Sequence, residues 1–176
     1  MIYSRITIRS LCADEGMLLK KLRLGALKDS PDSFSPTFEE TRQHDDEYWL
    51  RVAERIAGSH DFDILIAEGD GPAMGLVSGQ VDKEEVGHIG AMWVAPEGRR
   101  KGAGRKLLDG VMGFLMANQC SIIKLTVTET NDAAISVYKR AGFEFTGNDE
   151  PLRAGSSLKN LEMICPLVAR STQIIY

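Results

Sequence analysis

Apolar and polar residues alternate from the first residues onward. Over 2–9, Ile2, Ser4, Ile6 and Ile8 fall on one side and Tyr3, Arg5, Thr7 and Arg9 on the other, a period of two that predicts a strand. Over 14–28 the period lengthens. Leu18, Leu19, Leu22, Ala26 and Leu27 recur at three- and four-residue steps, which predicts a helix, and Asp29-Ser30-Pro31-Asp32-Ser33 ends it. A second helical region over 34–58 turns Tyr48, Trp49, Val52 and Ile56 inward, and Gly58 closes it. Residues 63–68 form an apolar strand, Gly69-Asp70-Gly71-Pro72 a turn, and 73–81 the antiparallel partner. A charged turn over 82–85 leads into a strand over 86–94. The next helix runs from about Gly102 to about Asn118, with Leu107, Leu108, Val111, Met112 and Leu115 inward. A strand over 121–128, a short helix opened by Asn131 and closed by Gly142, and strands over 143–147 and 161–168 complete the chain; a polar loop over 148–159 separates the last two.

An early strand meander followed by strand–helix–strand units predicts a mixed α/β (α+β) fold. Its centre is a twisted, mixed, mostly antiparallel sheet of about seven strands with helices on both faces. No repeat and no linker interrupts residues 1–176, so a single domain is expected over the whole chain.

Composition narrows the function classes. With 21 cations against 25 anions the net charge is −4, which argues against nucleic acid as a partner, since that needs a basic face. The charge is compatible with a cationic acceptor such as an amine. No apolar run approaches the ~18 residues of a membrane span, and the first residues lack a signal-peptide core. Cys12, Cys120 and Cys165 are odd in number and far apart. They read as reduced, mostly packed cysteines of a cytoplasmic protein. No metal site is expected.

The candidate chemistry begins after the strand over 86–94. Arg99-Arg100-Lys101-Gly102-Ala103-Gly104 is a basic, glycine-rich loop opening directly into a helix, with Arg105 just inside it. Two glycines let the backbone approach a bulky anion. The helix start offers unpaired amide N–H groups and the positive end of a dipole, which together make a pyrophosphate cradle. A P-loop would need Gly-Lys-Ser or Gly-Lys-Thr after four intervening residues, and no such run is present. A dinucleotide fingerprint would need a third glycine where Leu107 stands and an acidic residue where the next strand ends in Thr126-Val127-Thr128. A nucleotide-phosphate binder is therefore disfavoured. A second motif, Asn131 to Phe143 (NDAAISVYKRAGF), places Asn131 as an N-cap, sets Ala134, Ile135 and Tyr138 on one helix face, and ends on Gly142.

The Arg-x-x-Gly-x-Gly loop followed 27 residues later by the Asn–Ala–Tyr–Gly-Phe motif resembles the GNAT superfamily of acyl-CoA N-acyltransferases, over about residues 86–146. The resemblance implies a GNAT-like domain that uses acetyl-CoA (coenzyme A) as co-substrate and acetylates a primary amine by direct attack in a ternary complex. The acceptor would be a small molecule or a protein or peptide amine, and a homodimer is left open. It implies two splayed strands, 86–94 and 121–128, with the cofactor wedged between them. The pantetheine arm would pair with the backbone of Met92, Trp93 and Val94. The pyrophosphate would lie on the loop, with Arg99, Arg100, Lys101, Gly102, Ala103, Gly104 and Arg105 around it. Tyr138 matches the family's general acid, and Asn131 would hydrogen-bond the cofactor arm or a water. Phe34 and Phe38 would line the acceptor wall, whereas Trp49 reads as core. The strand before Asn131 carries no carboxylate until Glu129. The base is therefore assigned to His88, which the two-residue period places on one face with Gly90 and Met92. Glu85 and Glu84 are the fallbacks, acting through water, and deprotonation by bulk solvent is the remaining option. The alternative is a non-catalytic acyl-CoA-binding or regulatory module on the same fold, which would have no use for the Tyr138 hydroxyl.

Overall fold

The computed structural model describes residues 6–167. The first strand, β1, is Thr7–Ser10, so the start of the strand expected over 2–9 lies outside the described residues. Then follow α1 (Gly16–Asp29), α2 (Phe38–Thr41), α3 (Asp46–Ala57), β2 (Phe62–Glu68), β3 (Gly75–Val81) and β4 (Val86–Val94). After these come α4 (Ala103–Ala117), β5 (Ile122–Thr128), α5 (Asp132–Arg140), β6 (Glu144–Pro151) and β7 (Lys159–Pro166).

The strands form one seven-stranded sheet in the order β1-β2-β3-β4-β5-β7-β6. Every neighbouring pair is antiparallel except β4 and β5. The mixed, mostly antiparallel sheet expected from the sequence is present, with helices on both faces. β2 explains the layering. Its run Ile64-Leu65-Ile66-Ala67 is buried throughout, because Leu65 and Ala67 pack with Leu107, Leu108 and Val111 of α4 while Ile64 and Ile66 pack with Leu19, Leu22, Trp49 and Ile56 of α1 and α3. A strand covered on both faces has no need of a polar alternate residue. α5 sits on the α4 side, where Tyr138 packs edge-on to Phe143 with ring centroids 5.9 Å apart.

Three expectations change. The helical region over 34–58 divides into α2 and α3. Thr37 and Glu40 form a capping box at the first, and the Asp45 carboxylate accepts from the Tyr48 amide at the second. A chain with two strong N-caps starts two helices. The strand expected over 143–147 extends to Pro151, so the loop before β7 shortens. Asn148, Asp149 and Glu150 carry no apolar alternation, yet an edge strand exposes its side chains and accepts them. Finally, β7 ends at Pro166, and Val168, where the last strand was expected to end, lies outside the described residues.

β4 and β5 are hydrogen-bonded only from Val86–Ile122 to Ile89–Leu125. Beyond Ile89 the two strands part. On the other side of β4, the register against β3 slips between Ser78↔Gly90 and Leu76↔Trp93, which inserts one extra β4 residue. Ala91 takes up the slack with φ of 51°. This is a β-bulge, and it bends β4 away from its neighbour.

The α1–α3 crossing is close enough to be tested directly. A Cβ on Gly16 would stand 2.6 Å from the Leu50 backbone. Gly16→Ala should therefore destabilise the fold by about 1–3 kcal/mol. Gly113→Ala on the exposed face of α4, where a Cβ meets nothing within 4 Å, should stabilise it by up to about 1 kcal/mol. Denaturant unfolding of the two variants checks both signs.

Candidate active site

Where β4 and β5 part, the space between them is filled by cavities rather than by strand. A cleft of about 220 Å³ is bounded by Ile89 to Met92 on β4, Thr126 to Thr128 on β5, and Asn131, Ala134 and Tyr138 of α5. Below it lies a larger cavity of about 770 Å³ between the basic loop and α5, bounded by Met92, Val94, Arg99, Arg100, Gly102 and Gly104 on one side and Val137 and Tyr138 on the other. Met92, Ala134 and Tyr138 belong to both. A third cavity, about 580 Å³, opens on the α1–α3 side of the sheet. It meets the cleft at Arg23, Pro36 and Ala91. The three volumes thus share walls across the opening in the sheet, and the larger two are of the size usual for small-ligand sites.

The basic loop has the conformation its composition asks for. A short 3₁₀ turn, Pro96–Gly98, leads in, Arg100 has φ of 58°, and Gly102 has φ of 89°. A Cβ on Gly102 would meet no atom within 4 Å, so the residue leaves open space on the cavity side while holding a backbone shape that L residues resist. No side chain caps α4, and its first amide N–H groups are free to meet an anion. These features fit a pyrophosphate. The four cations differ, however. The Arg99 guanidinium pairs with Asp29, and its Nε donates to the Val94 carbonyl at 2.9 Å. Arg105 pairs with Asp109 at 2.8 Å. Arg100 and Lys101 make no bond or ion pair with a described residue.

Asp29 therefore fastens three elements. It accepts from Trp93 Nε1 at 2.9 Å, from the Ser30 hydroxyl at 2.7 Å and from Arg99. Desolvation opposes its charge, but these bonds outweigh it and hold the carboxyl below the usual carboxylate range. A second polar fastening closes the roof of the cleft: Arg153, in the loop between β6 and β7, donates to the carbonyls of Phe34 at 3.0 Å and Pro31 at 3.1 Å.

The residues singled out from the sequence are brought together unequally. Met92, Val94, Gly102, Gly104 and Tyr138 meet around the lower cavity. Asn131 lines the cleft, where its Oδ1 accepts from the Ala134 amide and its Nδ2 donates to the Ser33 hydroxyl, both at 3.2 Å. Phe34 lines the cleft, whereas Phe38 packs behind it against Ala26 and Leu27. Trp93 faces the α1 side and Met92 the α4 side. The expectation that His88, Gly90 and Met92 share a face is overturned by the Ala91 bulge, which shifts the alternation by one. Met92 lies with Ile89 on the α4 side, and His88 and Gly90 lie on the other. His88 Nε2 is 2.6 Å from Asp82 Oδ2. It is opposite Gln80, a wall of the third cavity, but lines none of the three cavities itself. Glu84 and Glu85 sit in the turn before β4, apart from these cavities.

The third cavity is lined by residues that the sequence pattern did not single out for a site. Arg23, His44, Tyr48 and Arg55 all line it, together with Trp49. One signal was available: Arg23 interrupts the apolar face of α1, four residues after Leu19 and four before Leu27.

Tyr138 is 7% exposed, and its hydroxyl bonds to no described residue. Burial pushes its phenol up to about 12. The unfolded chain releases this proton near 10, so stability is full below about pH 10 and falls as pH climbs toward about 12. Complete ionisation costs on the order of 2–3 kcal/mol. Denaturant unfolding across this range should show the decline, and Tyr138→Phe should flatten it.

Known proteins share this fold. YncA of Salmonella typhimurium, solved with its cofactor acetyl-CoA, is similar at TM-score 0.77 and 19% identity over 96% of this chain and 97% of that one. The PaiA N-acetyltransferase of Thermoplasma acidophilum, in complex with coenzyme A, is similar at TM-score 0.73 and 19% identity over 93% and 99%. A nourseothricin acetyltransferase is 31% identical over 60% of this chain and 65% of its own, at TM-score 0.56. The first two likenesses concern the fold. Residues 26–143, from the last turn of α1 to the residue before β6, match the model of the acetyltransferase (GNAT) family, and the chain belongs to that family.

Proposed function

We propose that this protein transfers an acetyl group from acetyl-CoA to a primary amine by direct attack within a ternary complex. The observation that carries the reading is a pair of cavities, one on each side of the sheet, that share walls with the cleft where β4 and β5 part. A cofactor-sized cavity on one side and a second cavity on the other meet at the cleft, and Tyr138 lines the cofactor side of that junction.

Acetyl-CoA supplies an activated acyl group as a thioester. In this reading the α4 amides and Gly102 receive the pyrophosphate, with Arg100 and Lys101 adding charge. Arg99 acts mainly by holding the loop against Asp29. The β4 edge at Met92, Trp93 and Val94, which has lost β5 as a neighbour, offers backbone groups to an extended arm, as an added strand would use them. In this reading the Met92 amide polarises the thioester carbonyl. Tyr138 keeps its proton at neutral pH and gives it to the leaving thiolate. His88, held by Asp82 and lying on the face of Gly90, is the proposed base, working through water. Asn131 sets the start of α5 and hence the position of Tyr138. We place the protein in the cytoplasm and leave a homodimer open.

A non-catalytic acyl-CoA binder would have little use for a second cavity leading to the same cleft. Thiol release with a broad panel of amines separates the two readings. Tyr138→Phe should lower kcat about 10²-fold while acetyl-CoA affinity stays near that of the wild type. Gly102→Val forces a branched residue into φ of 89° and fills the space before the α4 amides. Calorimetric titration should show CoA affinity reduced tenfold or more, about 1.4 kcal/mol. Unchanged affinity in the folded variant would remove the loop from the cofactor site.

A further inference from the structure

The cavity on the α1–α3 side has an unusual lining. Arg23, Arg55 and His44 line it, and no Asp or Glu does, although the chain as a whole carries a net charge of −4. Among the described residues, two buried side-chain polar atoms have no hydrogen-bond partner: Arg23 Nη1 and Trp49 Nε1. Both are donors, and both side chains line this cavity. Arg23 lies 5.4 Å over the Phe34 ring and reaches the cleft as well. Burial lowers its pKa, opposed by Tyr48, and no carboxylate pairs with it. An unpartnered buried donor is expensive, more so on a charged group largely out of water. Two in one cavity are explained most simply by a group that arrives with the ligand and accepts from both.

We infer that this cavity recognises a carboxylate on the amine acceptor, with the Arg23 guanidinium and the Trp49 indole N–H as its donors. The acceptor class is thus an amino acid or a similar amino carboxylate. A carboxylate matches the planar fork of a guanidinium with two parallel bonds. The rest of the wall, with Tyr48, Trp49, Val52 and Phe62, suits an apolar body. Arg23 also borders the cleft, so a carboxylate held there leaves a nearby amine at the sheet opening beside Ala91. The identity of the acceptor class rests on the transfer reading above, whereas the anion site itself does not.

The test has a binding arm and a turnover arm. In the first, the protein saturated with CoA is titrated calorimetrically with N-acetyl-L-phenylalanine, N-acetyl-L-leucine and N-acetylglycine, and with their primary amides. At least one acid should bind tenfold or more tighter than its amide. Arg23→Gln should erase that preference, and Trp49→Phe should weaken it about threefold, with CoA affinity unchanged in both. Arg23→Met guards against misfolding: it removes an unpartnered buried charge at similar volume, so it should raise the denaturation midpoint of the ligand-free protein while losing the acid preference. Equal binding of acid and amide, a preference that survives Arg23→Gln, or no binding of any acid at millimolar concentration would overturn the site. In the second arm, free amino acids and their amides are compared as acceptors by thiol release. The amide amine is the less basic, so a higher kcat/KM for the acid cannot come from easier deprotonation. Acids that bind in the first arm but release no thiol in the second would overturn acetyl transfer and leave the carboxylate site standing.

Discussion

At Ile89 two parallel strands stop sharing hydrogen bonds, and the rest of the molecule is arranged around that parting. A sheet interior with unpaired strand edges would ordinarily be costly. Here the cost is limited, because β5 keeps its other neighbour along its whole length, from Ile122↔Pro166 to Thr128↔Asn160. β4 likewise keeps β3. Each strand is anchored on its outer side and opens on its inner side. The Ala91 bulge fixes where this happens, and the left-handed backbone there is held by packing on both sides: Met92 and Val94 against the α4 layer, Trp93 against the α1 layer.

An open sheet needs something to hold its two halves at a set distance, and polar contacts do much of this. Asp29 at the end of α1 binds Trp93 beyond the bulge and Arg99 at the start of the basic loop. Arg153 reaches from the far side of the sheet to the loop that follows α1. Apolar packing alone would draw the strands together; directional bonds to carbonyls and a carboxylate fix a separation instead. The same logic accounts for Asn131, whose side chain serves both the start of α5 and Ser33 across the cleft.

Much of this was legible in residue order, because strand and helix periods are local. The basic loop, the capping Asn131, the Tyr138 face of α5 and the buried run of β2 were all visible. What escaped depended on contacts distant in sequence. Nothing in Gly90-Ala91-Met92 announces an alanine in the left-handed region, so the faces of His88 and Met92 could not be placed. Asn148 to Glu150 join a strand because β7 offers them a partner, against their own preference. Arg99 resembles a phosphate ligand until Asp29, 70 positions earlier, is found beside it. Arg23 was detectable as a cation on an apolar stripe, but its isolation from any carboxylate is a property of the packed helices.

The three cavities touch only through narrow walls: Met92, Ala134 and Tyr138 at one junction, and Arg23, Pro36 and Ala91 at the other. The helices behind those walls are also separate in the chain, while β2, β3 and β4 supply the rest of the third cavity's lining. α1, α2 and α3 precede the loop, α4 and α5 that surround the lower cavity. On the proposed function, such a layout lets the helices of the N-terminal third change under mutation while the basic loop, α4 and α5 stay constant. On that same reading, divergence among descendants of this scaffold should therefore concentrate in the helices before β2, and recombination at the turn between α3 and β2 would exchange the helical wall of the third cavity without rebuilding the basic loop, α4 and α5.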